Sequence, residues 1–96
     1  MFALIGVWQM DRSKSAMQNK ELRERIVPMV SHQPGFVSGY WSEDTASSKS
    51  HSFVVFDTLE HAQGLEAFVR QNGGSKEAGV AMESLQVVQI IANTRS

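Results

Sequence analysis

The strand-like segments of this chain are apolar on both alternating sets of positions. Residues 2–8 read FALIGVW, and residues 36–42 alternate Phe36 and Tyr40 with Val37 and Trp41. Successive side chains of a strand point to opposite faces of its sheet, so both faces of these strands need to be covered. The helices of such a chain can cover one face of its sheet. The other face then needs a cover from outside the chain.

The order of elements follows from the hydrophobic pattern. Strand-like runs occupy residues 2–8, 36–42, 52–56 and 85–91, and helical spacing marks residues 14–31 and 58–72. A polar turn at residues 45–50 joins the second and third strands as an antiparallel hairpin. Residues 76–81 form a short segment before the last strand, and a helical turn is one option for it.

The first helix has two candidate caps and one awkward residue. Ser13 or Ser15 can cap its start, the latter with Gln18 at capping-box spacing. Pro28 lacks an amide hydrogen and crowds the preceding turn. We therefore expect either a kink at residues 24–28 or a helix that ends early.

The second helix carries clearer boundary signals. Asp57 and Glu60 have capping-box spacing, which predicts an acidic cap, and the Gly-Gly-Ser-Lys sequence at residues 73–76 follows the helical pattern. Although that sequence superficially resembles a phosphate-binding loop, it follows a helix and not a strand. We interpret it as a helix C-cap.

These elements predict an α+β fold of the ferredoxin-like type. The order β-α-β-β-α-β is the split βαβ pattern, a four-stranded antiparallel sheet with both helices on one face, and residues 1–96 form one domain. Covering ~600 Å² of apolar surface on the open face would contribute on the order of 15 kcal/mol before the costs of association. We therefore expect a homodimer through the sheet face. The alternative is a monomer whose second face is shallow and half-exposed.

Composition excludes several functional classes. Nine basic against ten acidic residues give a formal charge of −1, which argues against nucleic acid as a partner. The absence of cysteine excludes disulfides, thiolate metal sites and a cysteine nucleophile, and fits a cytoplasmic protein.

Residues 1–10 lack a basic region typical of a signal peptide. The longest stretch without charge, residues 27–42, contains two prolines and is not a membrane span.

Three features together resemble a known superfamily over nearly the whole chain. They are Pro34-Gly35-Phe36 leading into a strand, the third-strand sequence FVVF at residues 53–56, and the acidic cap of the second helix. This arrangement resembles the antibiotic-biosynthesis-monooxygenase-like dimeric α/β-barrel superfamily. The resemblance implies a homodimer whose sheets pack face to face, with any small-molecule cavity between the sheet and the helices of each subunit.

Members of this superfamily include cofactor-independent oxygenases of aromatic polyketides and haem-degrading enzymes. Related oxygenases commonly carry a tryptophan where this chain has Leu59, and haem-degrading relatives use a later histidine as the iron ligand, whereas no histidine follows His61 here. We therefore expect no cofactor. No residues have metal-ligand spacing, so we also expect no metal.

The candidate site residues follow from side-chain chemistry. Among three scattered histidines, His61 lies near the junction of sheet and helix and is the candidate general base, with Tyr40 as hydrogen-bond donor. Trp8 and Ser38 are the candidate ligand-binding residues, and we assign Trp8 to the same face as Ser38 and Tyr40. Trp41 has the opposite parity, which suits the subunit interface.

Two functions remain open. The leading interpretation is a cofactor-independent monooxygenase-like enzyme acting on an aromatic or quinone-type substrate, with the protein supplying a base, a donor and a dry cavity. The alternative is a non-catalytic homodimer that binds a small apolar ligand or serves as a structural partner. Whether the chain is an enzyme is not decided by the sequence.

Overall fold

Four strands and a set of helical segments make up residues 1–95, which the computed structural model describes. In chain order they are β1 (Phe2–Met10), a 3-10 turn (Arg12–Lys14), α1 (Ser15–Glu21), a π-helical turn (Leu22–Ile26), α2 (Val27–Ser31), β2 (Phe36–Asp44), β3 (Lys49–Phe56), α3 (Leu59–Asn72) and β4 (Val80–Gln89). The sheet order is β2-β3-β1-β4. All neighbouring strands are antiparallel, as the ferredoxin-like prediction requires. None of these helices is long and apolar enough to cross a membrane.

The strand register assigns the two faces of the sheet. Leu4 lies opposite Val54 on one side and Val87 on the other, so these three side chains share a face. This face carries the core beneath the helices, whose buried members are Leu4, Val30, Val54, Phe56, Ala62, Leu65 and Leu85. The opposite face of the sheet bears no helix.

Asp11, which precedes both predicted caps, is the N-cap of the first helical segment. The Asp11 carboxylate accepts hydrogen bonds from the Ser13 backbone N–H at 3.0 Å and from the Ser13 hydroxyl at 2.7 Å. These bonds lower the pKa of Asp11 below its ordinary value of 3.8 because they favour the ionised form. The predicted capping roles of Ser13 and Ser15 are wrong, because Asp11 is the N-cap and the helical turns begin at Arg12.

Pro28 is accommodated by a wider turn. A kink was one expectation for residues 24–28, and the structure has a π-helical turn at Leu22–Ile26, in which the Val27 N–H donates to the Leu22 carbonyl five residues earlier. The helix then continues through Pro28 to Ser31, so the early end is not observed. Because proline cannot donate to the carbonyl four residues before it and crowds that carbonyl, the wider turn directly ahead of it relieves both problems.

The start of α3 differs from the predicted acidic cap by one residue. Thr58 is the N-cap, and its hydroxyl accepts the His61 backbone N–H at 3.2 Å. The Asp57 carboxylate is engaged by the His61 ring instead, which is why it does not cap. The C-cap interpretation is confirmed at Gly73, whose N–H donates to the Val69 carbonyl at 2.6 Å.

The segment before β4 is a turn, so the helical option is wrong. Ser75 and Val80 exchange two backbone hydrogen bonds, of 2.7 and 2.8 Å, which close the turn around Gly79. Gly79 has φ +70° and lies where an added Cβ would be 2.6 Å from the Cβ of Asp11. This turn starts β4 at Val80, five residues earlier than predicted, and β4 ends at Gln89.

The Asp11 cap makes stability depend on pH in a defined direction. Because the pKa of Asp11 is lower in the folded chain, its carboxylate stabilises the fold above the unfolded-state pKa, and this contribution is lost as pH falls through the folded-state pKa. We expect Asp11→Asn to unfold at lower urea concentration than wild type at pH 7. The difference should shrink when the same comparison is made at pH 3. A constant difference between the two pH values would contradict this role.

Candidate functional site

A cavity of about 900 Å³ lies between the helix-covered face of the sheet and the helices. Trp8, Trp41 and Ser52 line it from the sheet, and Met17 and Phe68 line it from the helices. Its volume is near the upper end of the range typical of small-molecule sites. This is the position that the superfamily resemblance implies for a ligand cavity.

Trp8 packs directly over a glycine on its own strand. A Cβ at Gly6 would lie 2.7 Å from the indole Nε1 of Trp8 and 2.7 Å from the Ser52 hydroxyl. The indole N–H donates to that hydroxyl at 3.4 Å, a long and weak hydrogen bond. The outer edge of the ring reaches the C-terminal end of α3, where a Cβ at Gly73 would be 3.0 Å from Cη2.

Trp41 repeats this arrangement on β2. A Cβ at Gly39 would lie 2.8 Å from Cη2 and 2.9 Å from Cζ3 of the Trp41 ring. Residues two apart share a face of a strand, so each tryptophan can lean over the glycine two positions before it. The repeated Gly-x-Trp pattern at residues 6–8 and 39–41 is the sequence signal that could have identified both cavity walls.

The interface role predicted for Trp41 is wrong, because Trp41 lines the cavity and packs against the core on the helix-covered face. Counting alternate positions correctly separated Trp41 from Ser38 and Tyr40, but the face of Ser38 and Tyr40 was taken as the one beneath the helices. A β-bulge between Phe36 and Ser38 leaves Val37 as the extra residue. The bulge places Phe36 on the same face as Trp41, although the two residues are five positions apart.

Ser38 and Tyr40 share a face, as predicted, but Trp8 does not share it. Tyr40 lies opposite Phe53 on the helix-free side of the sheet and is 68% exposed, and Ser38 lies opposite Val55 on that side. Trp8 projects from the other side into the cavity. Assigning Trp8 to the face of Ser38 and Tyr40 was thus wrong, and these two residues do not line the cavity of their own chain.

His61 lies outside the cavity at the start of α3. Its Nδ1 is 2.6 Å from Asp57 Oδ1, and this hydrogen bond is the main cause that lowers the pKa of Asp57. Gly35, with φ +77°, packs so close to both side chains that a Cβ there would overlap them. His61 and Tyr40 are not brought together in one chain, and their catalytic roles stay predictions.

The charged residues at the cavity edge are partly paired. Arg25 bonds Glu21 at 2.6 Å, and Arg12, outside the lining, pairs with Glu43. The lining also includes Gln18, a buried amide on α1 that was expected only as part of a possible capping box. The hydrophobic pattern gives no signal of its burial, because that burial depends on the distant turn before β4.

Methionine is the only residue type in the described cavity lining that is a common ligand of haem iron. The lining, taken over residues 1–95, includes Met10, Met17 and Met29 but no histidine, cysteine or tyrosine. His32 and His51 are both exposed, the first within 2.6 Å of the Pro28 carbonyl. Across the described chain, no three histidine, cysteine or acidic side chains cluster as metal ligands.

The sequence matches no protein-family model and no curated protein. Solved structures match it over nearly its full length. The haem degrader MhuD of Mycobacterium tuberculosis, solved with two haems in its active site, is 13% identical with a TM-score of 0.75, covering 99% of this chain and 100% of that one.

Two further structures extend the likeness. A dimeric ferredoxin-like protein from an uncultured marine organism is 11% identical with a TM-score of 0.70, covering 99% and 98% of the two chains. The ActVA-Orf6 monooxygenase of Streptomyces coelicolor, in complex with nanaomycin D, is 13% identical with a TM-score of 0.63, covering 99% and 92%. At such identities the likeness establishes architecture. The chain thus has a ferredoxin-like fold, which these solved structures share.

Proposed function

We propose that this protein binds a planar aromatic or quinone-type molecule in the cavity between its sheet and its helices. The observation that carries the proposal is the pair of indole rings, Trp8 and Trp41, held over glycines on the wall of a 900 Å³ cavity. Aromatic rings bury large apolar areas and stack favourably on one another. A flat ligand gains most from such a wall, whereas a small aliphatic ligand would leave much of the space unfilled.

The helix-free face supports a homodimer as the working form of the protein. Tyr40 is 68% exposed and Phe53, directly opposite it, is 39% exposed. Ile5 and Val7 on β1 share this face, so the exposed aromatic pair continues into an aliphatic surface. Large contiguous apolar surface of this kind is typical of interaction sites. One structural neighbour is itself described as dimeric, and we propose a second copy of this chain as the partner.

The chemistry we propose for this site is cofactor-independent oxygenation. In such a reaction a phenol-type substrate binds as the neutral phenol, loses its O–H proton to the base and then gives its own electrons to dioxygen. One ring C–H and the phenolic C–OH become the two C=O groups of a quinone, and one molecule of water leaves. Exclusion of water from the cavity would protect the reactive intermediate. A neighbour described as a monooxygenase was solved in complex with the ligand nanaomycin D, which supports a small-molecule site in this fold. The proposed base is His61, and the proposed donor is Tyr40.

One observation favours a second function, non-catalytic ligand binding. Neither His61 nor Tyr40 is among the residues that line the cavity of their own chain. A general base must come within hydrogen-bond reach of the proton that it removes. If the dimer does not bring such a group to the ligand, the same cavity binds an aromatic molecule without transforming it.

Filling the space beneath Trp8 should weaken binding. In Gly6→Ala the new methyl group would displace the Trp8 ring and break its bond to Ser52. We expect the affinity for 1,4-naphthoquinone, measured by quenching of tryptophan fluorescence, to fall by roughly 10-fold, about 1.4 kcal/mol. Gly64→Ala is the matched control, since a Cβ at Gly64 meets nothing within 4 Å. Equal affinities for the two variants would refute the indole wall as the binding surface.

Oxygen uptake separates the two functions. With 1-naphthol as substrate, the oxygenase proposal predicts one dioxygen consumed per quinone formed, at a rate that His61→Ala lowers by roughly 10²-fold or more. His32→Ala, which changes another exposed histidine, should leave the rate unchanged. Binding without oxygen uptake by wild type would favour the non-catalytic function. Uptake that His61→Ala leaves intact would remove His61 as the base.

A further inference from the structure

Gln18 is the buried polar side chain of the described chain. It is 8% exposed, and it lines the cavity from α1. Its amide nitrogen donates to the Ala78 carbonyl at 2.8 Å and to the Asp11 carbonyl at 2.9 Å. Gln18 thereby joins the first helix to the end of β1 and to the turn before β4.

These two bonds fix the orientation of the amide. A primary amide has two N–H donors on one side and a carbonyl oxygen on the other. If the group were flipped, its oxygen would face two backbone carbonyl oxygens, and none of the three could donate. The nitrogen of Gln18 must therefore point toward Ala78 and Asp11, and Oε1 must point away from them.

The Gln18 oxygen is left free to accept. No hydrogen bond to Oε1 is formed from within residues 1–95, although every sealed side-chain nitrogen or oxygen in that range has a partner. Oε1 is therefore accessible, and Gln18 is among the residues that line the cavity. We place Oε1 at the cavity wall, on the side of the amide opposite the nitrogen that is already bonded.

We infer that Gln18 Oε1 accepts a hydrogen bond from the ligand, and that the ligand is a hydroxyl-bearing aromatic, such as a phenol or hydroquinone. This inference rests on the proposed function and narrows its ligand class. An acceptor in the cavity wall favours a ligand that donates to it, because a ligand without a donor displaces water from Oε1 and leaves the acceptor without a hydrogen bond. Gln18 acts here as a specificity-determining residue.

A matched pair of ligands tests this assignment. The probes are 2-naphthol and 2-methoxynaphthalene, which share ring and oxygen but differ in the donor proton. Titrations are followed by NMR on the two indole N–H signals, since Trp8 and Trp41 are the only tryptophans and both line the cavity. Wild type should bind 2-naphthol roughly 3- to 10-fold more tightly than its ether.

Two variants separate the acceptor from the structural role of Gln18. In Gln18→Met the ratio of the affinity for 2-naphthol to that for 2-methoxynaphthalene should fall to about one. Lys14→Met removes a different tie to the same turn, a bond from Lys14 Nζ to the Glu77 carbonyl at 3.0 Å, and leaves the cavity lining intact. This control should keep the wild-type preference. A preference that persists in Gln18→Met would overturn the inference.

The wild-type protein alone also decides the question if Gln18→Met does not fold. Equal binding of the two probes overturns the role of Gln18 and leaves the proposed function standing. Failure of both probes to shift the indole signals overturns the proposed function itself, and the inference with it. Preference for 2-naphthol, accompanied by a shift of the Gln18 side-chain amide signals with that probe only, supports the inference.

Discussion

The structure depends on a mismatch between a sheet that is apolar on both faces and helices that cover only one. Leu4, Val54 and Phe56 project toward the helices and form the core. Ile5, Phe53 and Tyr40 project the other way and have no helix above them. Because successive side chains of a strand point to opposite faces, shifting a strand to bring the second set inward would turn the first set out. One face of the sheet is therefore available for a cavity and the other for association.

Two glycines and a buried amide hold the walls of this cavity in place. Gly6 and Gly39 let the two indole rings approach the sheet more closely than any side chain at those positions would permit. Gln18 fixes the helix to the turn before β4 by bonds to backbone carbonyls on two separate segments. The same contacts that keep the cavity open thus shape its wall, and a ligand that fits must match both an aromatic surface and a fixed acceptor.

Much of the fold could be predicted from the sequence, because helical and strand periodicity and the signals at α3 are local. The errors arose where a contact outside the hydrophobic pattern decided the outcome. Val37 is a bulge residue, so Phe36 shares the face of Trp41 and not that of Tyr40. The Asp57 carboxylate is bonded to the His61 ring, and Thr58 caps α3 in its place. Gln18 escaped notice because its burial is created by Ala78, 60 positions away. The cavity residues were predicted only where Trp8 stood out as a large aromatic on a strand.

We propose that a second copy of the chain covers the helix-free face while the other face holds the ligand cavity. Native mass spectrometry of freshly purified protein can test both parts, because it measures subunit number and retained small molecules together. We predict twice the chain mass, with added mass wherever a ligand is carried through purification. A species of single chain mass at micromolar concentration would contradict the claim, since the exposed Tyr40 and Phe53 surface would then need no partner.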